Sequence, residues 1–284
     1  MLAFRFVAAG LYLSVLTVGA ASVFADEALL DSFPRIETDI HASSLNWAGY
    51  AAQEGVYTGV KGSWIVSEID PQGRHGAVAT WVGIGGISGE DLIQAGTASV
   101  EDRLGTIDYF AWFEMLPDAA VPIPLDIAPG DAVTVELYEE APTNWLIRVR
   151  NTTTEKEFSI PVRYNSSRSS AEWIQERPVI DGDEYIELSN FESVRFTDGQ
   201  AIVDGEIVSI AESGARRIAM SDLKGEPLAI PTTLLDSGNS FSVARTRVEE
   251  AQGVIPIFSA TRRGNDVLLT VRLLDYVFVV PLSS

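Results

Sequence analysis

The 284-residue chain contains no cysteine. That excludes disulfides, thiol nucleophiles and cysteine-ligated zinc together. Stability is left to the packed core, which a chain of this length can supply. Histidine is nearly as scarce, with only His41 and His75 present. His41 precedes the first regular run and His75 stands in a turn between Gly73 and Gly76, so neither suits a Ser-His-Asp triad or a two-histidine metal site. Basic residues are few: 20 Lys and Arg stand against 40 Asp and Glu, a formal charge of −20. A surface this negative repels nucleic acid and anionic membranes, so neither is expected as a partner. The same balance suits an acidic medium, where carboxylates neutralise and self-repulsion falls. No calcium loop or carboxylate cluster at metal spacing occurs, and no cofactor is expected.

What is present begins with a leader. Arg5 precedes an apolar run over 6–19, and Val23-Phe24-Ala25 ends with a small residue at the cleavage position of a secretory signal. The run is too short for a comfortable membrane span and is soon followed by Asp26 and Glu27. The expectation is a secreted or periplasmic protein with no membrane association once residues 1–25 are removed. Residues 26–45 read as a linker or short pro-segment, 46–245 as the main domain and 246–284 as a C-terminal β extension.

Outside the leader, long helical periodicity is missing. Short alternating runs occur at 57–66, 78–84, 107–114, 132–138, 145–150 and 158–162, then at 193–196, 200–203, 206–210, 217–220 and 241–244. Pro-Gly-Asp, Asp-Gly and Ser-Gly-Asn punctuate them as turns. Two further apolar runs, 254–260 and 267–280, lie in the extension. Many short strands at regular spacing predict an all-β fold, an antiparallel sandwich of two sheets.

Residues 169–178 read S-S-A-E-W-I-Q-E-R-P. On a strand, Glu172, Ile174 and Glu176 share one face, and Trp173 and Gln175 the other. The two carboxylates stand about 13 Å apart along the strand. A solvated polar face is one reading of this stretch, and a functional groove is the other.

Several segments, in order, resemble the glutamic peptidases, the eqolisin family. They are N-W-A-G-Y at 46–50, V-K-G-S-W-I-V at 60–66, W-V-G-I-G-G at 81–86 and L-I-Q-A-G-T at 92–97. Y-F-A-W-F-E-M-L-P at 109–117, P-G-D at 129–131 and A-E-W-I-Q-E at 171–176 follow, then L-A-I-P at 228–231 and S-F-S-V at 240–243. The resemblance implies two large curved antiparallel sheets of the lectin and glucanase type, and peptide hydrolysis by a Gln/Glu dyad. It puts the glutamine at Gln94 and the glutamate at Glu176, with Glu172, four residues away on the same face, as the fallback. It also marks Trp47, Trp81 and Trp112 for the walls of a substrate groove. Glu114, on one strand face with Phe110 and Trp112, reads either as a carboxylate that hydrogen-bonds the dyad or as an ordinary surface Glu. Three positions depart from the fungal members of the family: Gly85 and Phe110 stand where those carry Asp, and Leu116 where they carry Tyr.

A Glu carboxylate can take a proton from water and return it to a leaving amine, while a Gln amide offers donors to an oxyanion and a carbonyl to orient the water. The expected partner is a protein or peptide substrate. Two alternatives stay open: a non-catalytic sandwich that binds glycan or protein in the same groove, and a glycosidase. The 13 Å span of Glu172 and Glu176 is wider than either glycosidase geometry, which counts against the latter. Asn151 and Asn165 head glycosylation sequons.

Overall fold

The computed structural model describes residues 41–246 except 73–74, 88–89 and 181–183, together with strands at Phe4–Arg5, Glu249–Glu250, Phe258–Arg263, Asp266–Leu273 and Tyr276–Leu282. Apart from Phe4–Arg5, the expected signal at 1–25 lies outside the described residues, as does most of the expected 26–45 segment.

The fold is all-β, a continuous series of pairings bent over into two layers. One layer runs Val121–Asp126, Ile107–Met115, Leu92–Glu101, Gly76–Gly85, Ala171–Glu176, Trp47–Ala52 and Arg216–Ser221, each antiparallel to the next. The other runs Lys156–Arg163, Asn144–Asn151, Ala132–Ala141, Tyr57–Ile65, Ser193–Val203, Phe241–Arg245 and Pro227–Pro231. The layers meet where Arg216–Ser221 pairs with Pro227–Pro231.

Alternation of side chains decides what lies between them. Val82, Ile84, Ile93, Ala95 and Trp173 of the first layer face Trp64, Val135, Trp145, Phe196 and Phe241 of the second in the main core. Phe196 stacks on Phe241 at 4.7 Å and 9°. Most polar tips of this core have partners, as burial requires, while Gln175 Nε2 has none among the described residues. The Trp173 indole N–H donates to the Lys61 carbonyl at 2.7 Å, Trp64 to Thr97 Oγ1 at 2.9 Å, and Thr80 Oγ1 to Gln175 Oε1 at 2.6 Å.

The opposite face of the first layer is also buried. It carries a second apolar cluster of Trp47, Ala79, Trp81, Leu92, Ala98, Trp112 and Ile174. A sheet covered on both faces explains why all of Gly76–Gly85 is buried and why its sequence runs apolar without alternation.

Several boundaries differ from the sequence reading. The runs at 193–196 and 200–203 are one strand, Ser193–Val203, bent where the register shifts between Thr197 and Gln200 and Asp198 takes φ 53°. Ala42–Ser44 is part of the sheet, parallel to 218–220, so the expected linker at 26–45 ends in a strand. The apolar run 267–280 is two strands, Asp266–Leu273 and Tyr276–Leu282, which pair with each other and with Phe258–Arg263 and Glu249–Glu250 in a separate sheet. Asn151 is fully buried. Its Nδ2 donates to Asp131 Oδ2 at 2.8 Å and to the Asp126 carbonyl, and its Oδ1 accepts from Thr153 and Thr154. The side chain is occupied as a turn staple and has no room for a glycan.

Candidate active site

The second face of the first layer collects the residues singled out from sequence. The Ala171–Glu176 strand is central, paired to Trp47–Ala52 on one edge and Gly76–Gly85 on the other. Its register puts Glu172 opposite Gly83. Gly83 in turn lies opposite Gln94, and Gln94 opposite Glu114. Glu114, Gln94, Gly83 and Glu172 therefore form one row across four strands. Gln94 and Glu172 are separated only by a residue without a side chain, so their Cα atoms stand two strand spacings apart, about 10 Å.

Glu114 is buried and accepts a hydrogen bond from Gln94 Nε2 at 2.7 Å. This fixes which end of the amide is which, because only nitrogen can donate to a carboxylate. The other end, Gln94 Oε1, is buried with no hydrogen bond among the described residues. Both oxygens of Glu172 are in the same condition, and the residue is 0% exposed. Burial drives the Glu172 carboxyl well above the ordinary value of 4.5. The neighbouring Ser170 hydroxyl opposes that rise without reaching hydrogen-bond geometry, and the charge of Asp91 adds to it.

Glu176 occupies a different place. Its row runs through Ala79, two strand repeats from the Gln94 row and about 13 Å along the sheet. Both its oxygens are engaged: Asn46 Nδ2 donates to Oε1 at 3.1 Å and the Trp81 indole N–H to Oε2 at 2.7 Å. Asn46 Oδ1 accepts in turn from Ser44 at 3.1 Å. Burial raises the Glu176 carboxyl well above its ordinary value, against the pull of the Trp81 donor. Trp81 meets Trp47 edge to face at 5.0 Å and 78°. The structure thus brings Gln94, Glu114 and Glu172 together. It sets Glu176 apart with Trp81 and Trp47, while Trp112, opposite Gly96, lies between them in the same apolar cluster.

Sequence reasoning missed the surroundings of one end of the row. Beyond Leu92 and Met115 lies an open cleft of about 490 Å³, lined by Glu90, Asp91, Leu116, Arg163 and Tyr164 among others. Asp91 Oδ2 accepts from the Ser167 amide at 2.6 Å. Gly85, where fungal relatives were expected to carry Asp, has φ 94°. A Cβ placed there would lie 2.7 Å from the Asp91 carbonyl and 2.9 Å from its carboxylate. Among the described residues no group of three His, Asp or Glu could hold a metal ion.

Two expectations follow. Gly85→Asp will not supply a missing carboxylate; it will destabilise the fold by about 1–3 kcal/mol, measured by urea unfolding, because the backbone there is left-handed and the space is filled. The raised carboxyls set the sign of the pH dependence. A folded state that holds protons more tightly than the unfolded chain is most stable below the ordinary value of about 4.5, and loses that advantage as pH rises towards the folded value. Thermal unfolding of Glu172→Gln, which cannot ionise, will show a higher Tm than the parent at pH 7 and a flatter decline above pH 4.5.

Comparison with known proteins identifies the fold and the family. The profile of the peptidase A4 family matches residues 45–245. Aspergillopepsin-2 of Aspergillus niger is 28% identical over 195 residues, covering 60% of this chain and 68% of the relative. Scytalido-glutamic peptidase, solved with a transition-state analog inhibitor, superposes with a TM-score of 0.62 at 23% identity, over 70% of this chain and 98% of its own. Aspergilloglutamic peptidase from Aspergillus niger superposes with a TM-score of 0.53 at 26% identity, over 60% and 99%. The two-layered sandwich is the fold these structures share. With its sandwich matched from end to end, the chain belongs to the peptidase A4 family and is a glutamic endopeptidase.

Proposed function

We propose that this chain is an exported endopeptidase of mildly acidic media whose dyad is Gln94 and Glu172. The observation that carries the reading is the row Glu114–Gln94–Gly83–Glu172, in which the only intervening residue lacks a side chain and the facing polar ends are buried without partners. A water between them would donate to Glu172 and be oriented by Gln94 Oε1. Ionised Glu172 takes the water's proton as its oxygen attacks the peptide carbonyl. Gln94 Nε2 holds one hydrogen on Glu114 and has a second to offer the developing oxyanion. Glu172 then passes its proton to the leaving amine, which restores the carboxylate and releases both halves of the substrate.

Family alignment favoured Glu176 as the base, and its geometry supports a different role. One oxygen accepts from Asn46 and the other from Trp81, which ties the side chain to the groove wall and leaves each oxygen one further lone pair. We assign it to positioning Trp81, and through it Trp47, as walls of the groove.

The test is hydrolysis of an unfolded protein such as reduced casein from pH 3 to 7. Gln94→Ala and Glu172→Gln are expected to lose roughly 10²–10⁴-fold in kcat/KM, and Glu176→Gln about tenfold. An inactive Glu176→Gln beside an active Glu172→Gln would transfer the base to Glu176. A folded parent that cleaves nothing at any pH would leave a binding module as the surviving reading. The pH profile carries its own sign. The base must be ionised and burial raises its pKa, so the rising limb of kcat/KM is expected above pH 4.5 rather than below it. A limb centred near pH 3 would contradict a buried Glu172 base.

A further inference from the structure

The family match ends at residue 245, and the solved relatives are covered over almost their whole length by this sandwich. Residues 247–284 are therefore additional to the peptidase fold. They carry a sheet of their own, in the order Glu249–Glu250, Tyr276–Leu282, Asp266–Leu273 and Phe258–Arg263. Its register gives two unlike faces. The rungs Phe258–Val271–Phe278 and Ala260–Leu269–Val280 fall on one face, while Ser259–Thr270 and Arg263–Asp266 fall on the other. A single sheet cannot cover its own apolar face and needs a second layer.

The extension leaves the sandwich beside the substrate groove. Arg245 pairs with Ala229, Ala229 with Met220, and Met220 with Ser44. Three strand spacings, about 15 Å, thus separate the last sandwich residues from the segment that delivers Asn46 and Trp47. Burial and the charge of Arg177 both hold the Arg245 guanidinium below its usual value, which puts Arg245 near the residue that follows Glu176. The groove itself is closed. Its walls Trp47, Trp81 and Trp112, with Gln94 and Glu114, are 0% exposed although they stand on the outer face of the first layer. An endopeptidase must admit an extended chain across this face, so the closed form has to open. The dimensions match as well. From the Trp47 strand to the Glu114 strand the groove spans four spacings, about 19 Å, and extension strands of 6, 8 and 7 residues run about 20–27 Å.

We infer that residues 247–284 are an intramolecular cover: the apolar face of their sheet lies over the Trp47, Trp81 and Trp112 walls, and the full-length chain is a latent peptidase. This requires that peptides are hydrolysed on this face, and it is independent of which glutamate serves as base. The test uses the full chain. Leu269→Asp and Phe278→Asp place a charge on the apolar face, and Thr270→Asp places the same charge on the other. Casein hydrolysis, acrylamide quenching of tryptophan fluorescence, Tm and mass by light scattering would be compared. All six tryptophans are buried, three on the groove and three in the main core, so the parent should resist quenching. Leu269→Asp and Phe278→Asp are expected to raise kcat/KM at least about tenfold, because activity scales with the open fraction. Their quenching should rise while the main unfolding transition stays in place, and Thr270→Asp should match the parent. Unchanged activity and quenching in the apolar-face variants would overturn the cover. A dimeric parent that these changes split into monomers, with no gain in quenching, would overturn it in favour of a second copy on that face. If no variant hydrolyses casein, the endopeptidase reading falls, and quenching still decides whether the extension covers the groove. Should the Asp variants fail to fold, Leu269→Thr takes their place with the same criteria.

Discussion

Everything at the site depends on the register of one strand. Ala171–Glu176 is hydrogen-bonded on both edges, so it cannot slide without breaking two ladders at once. A slip of one residue would send Trp173 out of the main core and both glutamates into it. The core side of the strand, Trp173 anchored to the Lys61 carbonyl and Gln175 to Thr80, therefore decides where Glu172 points on the other side. The chemistry is positioned by packing on the face it does not share.

The same register creates an electrostatic cost. Glu172, Glu176 and Glu114 are buried on one face of one sheet, in a chain already at −20. A buried carboxylate without compensation is unfavourable by at least several kcal/mol, and the usual response is to hold its proton. The three groups meet that cost in different ways. Glu114 accepts from the Gln94 amide, Glu176 from Asn46 and Trp81, and Glu172 from no group among the described residues. In the dyad we propose, the carboxyl with the fewest partners is the one that exchanges a proton with water. The extensive core between the layers stabilises the sheet that bears this cost.

Much of this was legible in the sequence. Short alternating runs and turn residues pointed to an all-β sandwich, and the ordered motifs identified Gln94 and Glu114 with their neighbours. The alternation of 171–176 put Glu172 and Glu176 on one face, but it could not say which of them shared a row with Gln94. That is a property of pairing between strands eighty residues apart in the chain, set by Gly83 lying opposite both. The Asn151 sequon is a related case: a short local pattern does not reveal that its side chain is bound to Asp131 across a loop. The place of Tyr164 at the cleft carries no local signal either. Its hydroxyl bonds to Leu92 and Leu116 through backbone groups that any residue could offer.

The departures from the fungal pattern acquire a physical sense at the end of the sheet where segment 164–170 is fastened. Gly85 and Leu116 lack the Asp and Tyr expected there; the space at Gly85 is filled, and Leu116 lines the open cleft. The Gly85 amide is bonded to Ser170, and the space its side chain would enter holds Asp91; the Leu116 carbonyl is bonded to Tyr164. Asp91 fills the space at Gly85, and the Tyr164 hydroxyl holds the backbone of Leu116. Groups delivered from a connecting segment can hold the ends of the Gln94 and Glu114 strands as firmly as groups on the strands themselves, provided the segment is tied at several points. Here it is tied at Leu92, Leu116, Asp91 and Gly85 before it turns into the Glu172 strand. Loss of the two strand residues is thus compatible with an intact row, because what the row needs is fixed strand ends rather than any particular side chain at positions 85 and 116.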